Sequence, residues 1–378
     1  LVGSEMCIRD RYEGRIKCIY IDPPYNTGNE GWVYNDNVND PKIKKWLGEV
    51  VGKEGEDLTR HDKWLCMMYP RLKLLQKLLA DDGVIFISID DTECSNLILI
   101  CNEIFGASNF VANVSWQRTY SPRNDSKGIV SEVEHLVVFS KNPGWQPNKL
   151  PRTEAMDSRY KNPDNDVAPW KSSDAFAPGA ATHQGMVYAI QHPFTGEMLY
   201  PSNGRCWRYQ QSSMLEYMQG WCNYRLENLH DEKERARVCG IDESAVRKDV
   251  LAIVLEEPLE VSAAKAQKVY NRGRWPGFYF TKGGYGGIAR KTYLENVGGR
   301  LPTNLWMYEE TGHTDEAKKE LISLFGGRSP FDTPKPTRLL DFVLKVAGTS
   351  ETLMLDSFAG SGTTACLLYT SPSPRDTR

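Results

Sequence analysis

A short apolar run that stops at two prolines constrains the fold of this chain most. Residues 16–22, Ile-Lys-Cys-Ile-Tyr-Ile-Asp, are rich in β-branched and aromatic side chains and end at Pro23 and Pro24, which predicts a buried strand. Large apolar side chains recur at helical spacing over residues 64–79, up to Gly83, and a second apolar run covers residues 84–89. Strand, helix and strand in this order predict an α/β fold with a parallel sheet.

The rest of the chain continues this pattern and then interrupts it. Further elements are predicted as a helix over 92–105, a strand pair over 110–116 and 134–140, a helix capped by Thr314 with Leu321, Leu324 and Phe325 facing inward, a helix after Pro336, and a buried strand over 352–356. Residues 145–300 are rich in proline, glycine and tryptophan and show little periodicity. This segment is therefore predicted to be a separate, loop-rich or β-containing domain.

Composition excludes several classes of protein. The net charge is −3 and the isoelectric point about 6.2, so any surface for nucleic acid has to be a local patch. Nine cysteines without a C-x-x-C pair favour reduced thiols over zinc ligands or disulfides. No spacing of histidines and carboxylates predicts a metal site. No apolar run reaches the roughly 20 residues of a membrane span, and no signal segment is evident, which predicts a cytoplasmic protein.

The first motif, Asp22-Pro23-Pro24-Tyr25, follows the predicted strand, where open α/β sheets place their sites. Prolines lack an N–H donor, so the carbonyls beside them are expected to act as acceptors. A carboxylate, outward carbonyls and an aromatic ring suit one task, which is to hold the exocyclic amino group of a base extruded from a duplex. The alternative is a plain Pro-Pro turn, but the longer run IDPPYNTG favours a site.

The second motif, LDSFAGSGTT over residues 355–364, follows the last predicted strand. Gly360 and Gly362 would let the backbone approach a ligand closely before a helix begins. The motif is not a phosphate-binding P-loop, because Thr363 stands where that loop has Lys. It also lacks the third glycine of the dinucleotide motif, which disfavours NAD. The alternative is an ordinary turn between a strand and a helix.

The order of these motifs resembles that of the β-group amino methyltransferases, and in particular the methylation (Mod) subunit of type III restriction–modification systems. The matching blocks are YIDPPYNTGN, WLCMMYPRLKLLQKLLADDGVIFISIDDTE, EIFGASNF, FDTPKPTRLL and LDSFAGSGTTA, within about 12–141 and 300–366. The resemblance implies a Rossmann-like methyltransferase sheet with circularly permuted motifs and an inserted target-recognition domain. It also implies methyl transfer from S-adenosylmethionine (AdoMet) to N6 of a flipped adenine in double-stranded DNA.

The resemblance assigns roles to particular residues. Asp22, Pro23, Pro24 and Tyr25 would hold and activate the adenine. The AdoMet-binding residues would be Asp356, Phe358, Ala359, Gly360, Ser361, Gly362 and Thr363, with Lys335, Pro336 and Thr337 closing over the methionine end. Three alternatives stay open: methylation of cytosine N4, methylation of a protein glutamine, and a catalytically inactive DNA-binding fragment. Relatives imply a homodimer that associates with a helicase–nuclease (Res) subunit in a prokaryotic cytoplasm.

The two ends and the domain limits are further expectations. Residues 1–11 and 367–378 resemble translated sequencing-adapter read-through, although ordinary disordered tails would also fit. Residues 12–144 are expected to be the catalytic half, 145–300 the target-recognition insert, and 301–366 the start of the AdoMet half. The family has an acidic residue about 20 positions after the glycine turn, which holds the ribose hydroxyls. Asp376 lies near that position, but it is rejected because a Ser-Pro tail cannot form the strand that this residue ends. We therefore expect weak AdoMet binding, which a micromolar Kd by calorimetry would contradict.

One local stretch has the composition of a DNA-contacting surface. Residues 261–294 contain seven Lys or Arg and no Asp or Glu, interleaved with aromatic residues and glycines. The predicted DNA contacts are Arg272, Arg274, Lys282, Arg290 and Lys291. The alternative is a solvated loop with aromatic residues that belong to the core.

Overall fold

The computed structural model describes residues 10–27, 60–121, 128–329, 331 and 333–370. Contacts between Cα atoms divide the chain into two compact units. The first unit takes in residues 1–150 and 300–378, and the second takes in residues 151–299. The second unit falls inside the segment for which the sequence predicts a separate domain.

Strands and helices have these bounds in the described part of the chain. The strands are β1 (Ile16–Ile21), β2 (Leu79–Ile89), β3 (Phe110–Gln117), β4 (Val133–Ser140), β5 (Trp170–Asp174), β6 (Phe176–Pro178), β7 (Ile190–Gln191), β8 (Met198–Leu199), β9 (Arg205–Trp207), β10 (Tyr224–Glu227), β11 (Ala252–Leu255), β12 (Phe278–Phe280), β13 (Ile288–Tyr293), β14 (Leu305–Trp306) and β15 (Met354–Asp356). The α-helices are α1 (Arg60–Leu78), α2 (Cys94–Phe105), α3 (Glu154–Asp157), α4 (Gln211–Gln219), α5 (Glu232–Cys239), α6 (Leu259–Arg272), α7 (Tyr308–Thr311), α8 (Thr314–Leu324), α9 (Thr337–Ala347) and α10 (Thr363–Thr370).

The first unit is built on a six-stranded sheet with the order β14-β3-β4-β2-β1-β15. Strand β1 pairs in parallel with both β2 and β15. Strand β4 is antiparallel to β2 and β3, as the predicted strand pair requires. The α/β fold predicted from the order of apolar runs is confirmed, with one antiparallel strand inside an otherwise parallel arrangement.

Helices cover both faces of this sheet, which explains why β1 and residues 84–89 of β2 are mostly apolar. On one face, Trp64 and Leu72 of α1 and Leu97 of α2 pack against buried side chains of β1 and β2. On the other face, Leu339, Leu340, Val343 and Val346 of α9 pack with Trp116 and Trp306. Full burial of one such side chain stabilises the fold by roughly 1.5–3 kcal/mol, so the apolar stripe predicted after Pro336 anchors α9 to the sheet.

Two boundaries differ from the sequence-based expectation. Helix α1 ends at Leu78, before Gly83, and Gly83 lies within β2. A Cβ atom at Gly83 would lie 2.9 Å from the carbonyl oxygens of Ala80 and Ile16, so this glycine allows a close approach of β1 and β2 rather than ending the helix. At α8 the cap is His313, whose Nδ1 accepts the Glu316 N–H at 3.2 Å, and not Thr314.

The interior face of α8 is also narrower than predicted. Leu321 is buried, as expected, but Leu324 and Phe325 are 61% and 60% exposed. The helix ends at Leu324, so the expectation that both residues face inward is wrong.

The second unit has small sheets and its own core. Its strands form a four-stranded sheet β10-β11-β7-β8, a three-stranded sheet β12-β13-β5 and the pair β6-β9. Trp170, Trp207 and Trp221 pack with Phe278 and Phe280 in one cluster of buried residues. The aromatic residues that stand out in the sequence therefore mainly fill this core.

Two further expectations concern the described ranges only. None of the helices there combines the length and the apolar character that crossing a bilayer requires. The cysteines described are free thiols, and most are buried. Burial raises the pKa of the Cys18 thiol to about 12. This side chain therefore packs in the core as an uncharged thiol and is not an activated nucleophile.

Candidate functional site

The two motifs leave the sheet side by side. In the parallel pair of β1 and β15, Tyr20 is in register with Asp356. The chain beyond each strand therefore emerges at the same edge of the sheet, which is where α/β folds form their sites. Asp22 and the glycine turn after Asp356 are brought together across more than 330 positions of sequence by this one pairing.

Asp22 forms an ion pair with Lys335. The Lys335 ammonium donates to both oxygens of the carboxylate, at 2.9 and 3.0 Å, and the Tyr25 hydroxyl donates to one of them at 3.0 Å. Burial raises the pKa of Asp22, and Lys335 offsets only part of that rise. Burial alone would lower the pKa of Lys335, but the Asp22 and Glu134 carboxylates raise it. Lys335 is therefore a charged ammonium at neutral pH.

Glu134 is a member of the site that the sequence did not reveal. It is 8% exposed in β4 and lies 3.4 Å from the Lys335 ammonium. One of its oxygens lies 2.9 Å from the Tyr25 hydroxyl, whose single hydrogen is shared between Glu134 and Asp22. Arg118 approaches the other side of Glu134 at 3.3 Å. A carboxylate near the start of an otherwise apolar strand was the only signal in the sequence. The Lys335 ammonium also lies 4.9 Å from the centre of the Tyr25 ring. The side chains of Asp22, Tyr25, Glu134 and Lys335 therefore form one network.

Side chains at two helices, α1 and α2, fix the loop after β1 through hydrogen bonds. Trp64 of α1 donates its indole N–H to the Pro24 carbonyl at 2.7 Å. The buried carboxylate of Glu93 accepts the side-chain amide of Asn26 and that of Asn96, and bonds His61 at 2.7 Å. The Pro24 carbonyl, which the sequence suggested as an acceptor for the target, thus already has a donor within the protein. Trp64 and Glu93 are positioning residues that sequence reasoning missed.

The glycine turn is shaped by Asp356. Its carboxylate accepts the Thr364 hydroxyl at 2.6 Å and the Phe358 N–H at 3.1 Å. Gly360 and Gly362 have φ of 52° and 75°, and a Cβ atom at Gly362 would meet nothing within 4 Å. The backbone of the turn is therefore open to a ligand, as the motif predicts.

A narrow cleft joins the two motifs. Asp22 of the first motif, the segment before α9 and the glycine turn line this cleft, together with neighbouring side chains of β1 and α9. The lining residues are Tyr20, Asp22, Phe331, Thr333, Pro334, Lys335, Leu340, Asp356, Phe358, Ala359, Gly360, Ser361, Thr363 and Thr364. The Thr363 hydroxyl donates to the Lys335 carbonyl at 3.1 Å and bonds that of Ser361 at 2.8 Å. The cleft volume is about 20 Å³, room for about one water molecule.

The three residues predicted to close over the cofactor separate in the structure. Lys335 lines the cleft. The Thr337 hydroxyl instead donates to Glu320 of α8 at 3.0 Å. Pro336 caps α9 and packs against Gly312, where a Cβ atom would lie 2.9 Å from the proline ring. Pro336 and Thr337 therefore set the start of α9 rather than face the cleft.

The basic stretch of the second unit divides in a similar way. Arg272, Arg274 and Lys282 are exposed, and Arg290 is half-buried. Lys291 has a fully buried ammonium that lies 2.5 Å from a carboxylate oxygen of Asp164. The expectation that Lys291 contacts DNA is wrong, because its ammonium forms buried ion pairs with Asp164 and Asp166 inside the unit and does not reach the surface.

Comparisons with known proteins agree with the order of the motifs. The family model described as DNA methylase matches residues 16–368. The type III restriction-modification enzyme StyLTI Mod subunit of Salmonella typhimurium is 31% identical over 95% of this chain and 47% of its own length. The EcoPI Mod subunit of Escherichia phage P1 is 28% identical over 94% of this chain and 51% of its own length. The type II methyltransferase M.KpnI of Klebsiella pneumoniae is 27% identical over 92% of this chain and 69% of its own length.

The relatives and the family model are matched to different extents. The chain spans about half the length of the Mod subunits that it matches. The family model, in contrast, covers both motifs and the second unit between them. The chain belongs to the DNA methylase family.

Proposed function

We propose that the chain carries the catalytic site of an AdoMet-dependent DNA methyltransferase that acts on N6 of adenine. The observation that carries this proposal is the register of β1 and β15, which sets Asp22 beside the glycine turn at one sheet edge. A site for methyl transfer needs an acceptor for the amino group and a cradle for the methyl donor within reach of each other. The cleft lined by both motifs supplies this neighbourhood.

Asp22 is the group that would orient the adenine amino group. A carboxylate offers about four lone pairs. Lys335 donates to both oxygens of Asp22, and the Tyr25 hydroxyl lies 3.0 Å from Oδ1, so Oδ2 has fewer donors around it than Oδ1. One acceptor position on Oδ2 is thus left for an N–H of N6. This hydrogen bond draws the amino group away from conjugation with the ring and makes its nitrogen a better nucleophile. The Tyr25 ring, already fixed by its hydroxyl, offers a face for the extruded base.

The residues of the turn fit the amino-acid end of AdoMet. Gly360 and Gly362 expose backbone at positive φ, and no side chain blocks Gly362. Phe331 lies against Gly360, 3.8 Å from an ideal Cβ position, so this side of the cleft has to widen before a nucleoside enters. AdoMet supplies a methyl group on a positively charged sulfur, which needs no metal for its transfer. The roles of Asp356 and Phe358 are to hold the turn in shape.

The second unit is proposed as the target-recognition part, with double-stranded DNA as the partner of the whole. Support comes from the exposed cations Arg272, Arg274 and Lys282. It also comes from the sequence order, in which residues 151–299 stand between the two motifs. Two of the relatives bear the name of a subunit of a type III restriction-modification enzyme. We therefore propose assembly with a second copy and with a restriction subunit, in a prokaryotic cytoplasm.

The test is the identity of the methylated nucleoside. The chain is incubated with methyl-labelled AdoMet and unmethylated DNA, and the DNA is digested to nucleosides and separated by mass. The proposal predicts label in N6-methyldeoxyadenosine, and none from a D22A variant. Label in N4-methyldeoxycytidine would instead support the cytosine alternative. Binding of DNA without any label would support the inactive DNA-binding fragment.

A further inference from the structure

The residues just after α6 form a turn of unusual backbone shape. Gly273 has φ of 77°, and the next residue, Arg274, has φ of 51°. A positive φ is unfavourable for a residue with a Cβ atom, because the Cβ then crowds the backbone. Such backbone persists only where the surroundings hold it, and it is concentrated at functional positions. Residues 272–275 are named here the arginine turn.

One residue of the second unit, Asp164, holds the arginine turn in place. Its backbone carbonyl accepts the N–H of Arg274 at 2.7 Å, and its carboxylate accepts the N–H of Trp275 at 2.7 Å. A Cβ atom at Gly273 would lie 2.3 Å from the same carbonyl oxygen. Only glycine therefore fits at the centre of the turn while Asp164 keeps both hydrogen bonds.

Asp164 is itself fixed by a buried ion pair. The side chains of Asp164 and Lys291 are fully buried and lie 2.5 Å apart, and the indole of Trp170 donates to the other carboxylate oxygen at 2.8 Å. Lys291 also bonds Asp166 and the Trp275 carbonyl. Burying such a pair is expensive, and stability alone rarely accounts for it. Its effect here is to give the arginine turn a rigid support.

The turn presents charge without a partner. Arg272 and Arg274 are exposed, and so is Lys268, one helical turn earlier on α6. In the described part of the chain none of these three cations forms an ion pair, whereas Lys265 pairs with Glu257 and Lys291 with Asp164. Lys268 and Arg272 lie about 6 Å apart along the helix, a spacing that suits neighbouring phosphates of one DNA strand.

We propose that the arginine turn, with Lys268, is a pre-formed clamp for phosphates of duplex DNA, and that Asp164 and Gly273 set its shape. The proposal rests on the proposed function, since DNA is the partner. It adds that the contact depends on backbone geometry as well as on charge. A turn whose backbone is already fixed loses little backbone freedom on binding, which favours affinity.

The experiment compares two kinds of variant of the full chain. The probe is a fluorescein-labelled duplex of mixed sequence, and anisotropy gives the Kd at several salt concentrations. R272A/R274A removes the charges, with R225A/R237A as its control, because those two exposed arginines pair with Glu227 and Glu234. G273A changes shape but not charge. Its control is G204A, where φ is nearly the same at 76° but a Cβ atom would meet nothing within 4 Å.

The proposal predicts that R272A/R274A lowers the slope of log K against log salt by about 2, one unit for each cation. G273A is expected to weaken binding about fivefold or more while leaving far-ultraviolet circular dichroism unchanged, and both controls are expected to bind as the unmodified chain does. An unchanged slope in R272A/R274A would overturn the clamp. Equal affinities of G273A and G204A would overturn the role of shape, and so would a lack of salt-dependent binding by the unmodified chain.

Methylation distinguishes this proposal from the proposed function. If the unmodified chain labels adenine but the variants bind DNA normally, the clamp is wrong and the proposed function stands. If the variants lose binding as predicted but no nucleoside is labelled, the clamp stands and the methyltransferase assignment fails.

Discussion

At the scale of single residues, the site depends on a cation between two carboxylates. The Lys335 ammonium lies 2.9 Å from Asp22 and 3.4 Å from Glu134. Asp22 is a stronger acceptor for an amino N–H when it is ionised, and Lys335 is the main group that opposes the rise in its pKa caused by burial. In the proposed reaction, Lys335 is therefore assigned an effect through Asp22, as a positioning and charge-balancing residue.

Replacing Lys335 with Met tests this role. The variant keeps nearly the length of the side chain but removes the charge, so burial and Glu134 raise the pKa of Asp22 against the Tyr25 hydrogen bond alone. Methyl transfer falls as pH falls through the pKa of Asp22, and K335M should move this acid limb to higher pH. We expect single-turnover rates on the acid limb to fall by about tenfold for each unit by which the pKa rises.

The matched control for this variant is K345M. Lys345 lies on the same helix, α9, but is 55% exposed and pairs with Asp341 on the solvent side. It should leave the pH profile of methyl transfer unchanged. Superimposable profiles for K335M and the unmodified chain would show that Lys335 does not tune Asp22.

At the scale of elements, helices α1 and α2 position the loop after β1. Trp64 bonds the Pro24 carbonyl, and Glu93, just before α2, gathers the side chains of Asn26, His61 and Asn96. The loop that carries the first motif thus owes its shape to residues further along the chain: Trp64 lies 40 positions beyond Pro24, and Glu93 lies 67 positions beyond Asn26. The strand alone would leave its prolines at the end of an unsupported turn.

Removing the Glu93 carboxylate should weaken the first unit markedly. In E93A three buried or half-buried donors lose a charged acceptor, and one such hydrogen bond contributes about 1.5–3 kcal/mol. We expect the free energy of unfolding, from urea titration followed by tryptophan fluorescence, to fall by about 3 kcal/mol. E103A provides the comparison, since Glu103 lies exposed on α2 and accepts one hydrogen bond, from Tyr69. A similar small loss in both variants would refute the anchoring role.

Local sequence predicted the elements better than it predicted the contacts between them. The runs that became β1, the later part of β2 and most of β4 were visible because burial on both faces of a sheet favours apolar residues, and α9 was visible from its apolar stripe. The ion pair of Lys335 with Asp22 joins residues 313 positions apart, and no local pattern encodes it. Lys291 was misjudged for the same reason, because its partners Asp164 and Asp166 lie 127 and 125 positions away.

At the scale of the whole molecule, the chain consists of two units with separate cores. The core of the second unit is rich in tryptophan and contains no residue of the first. With 149 residues between positions 151 and 299, a unit of this size can bury roughly two thirds of its surface. The sequence predicted a separate domain from the loss of periodicity, but it could not show that the aromatic residues form a core.

We therefore expect residues 151–299 to fold when produced alone. Near-ultraviolet circular dichroism should show fixed tryptophan environments, and urea unfolding should be cooperative. A W207A variant, which removes a fully buried side chain from this core, should lose about 3–5 kcal/mol of stability. A featureless near-ultraviolet spectrum for the isolated unit would contradict its independence.

A double-mutant cycle tests whether the ends of β1 and β15 form one catalytic site, as proposed. The rate of label transfer from AdoMet to adenine in DNA is measured for the unmodified chain, D22N, D356N and the double variant. Groups that act as a unit show non-additive losses. If Asp22 and Asp356 belong to one site, the double variant should be barely slower than the slower of the two single variants. Losses that multiply, as for independent positions, would contradict a shared site.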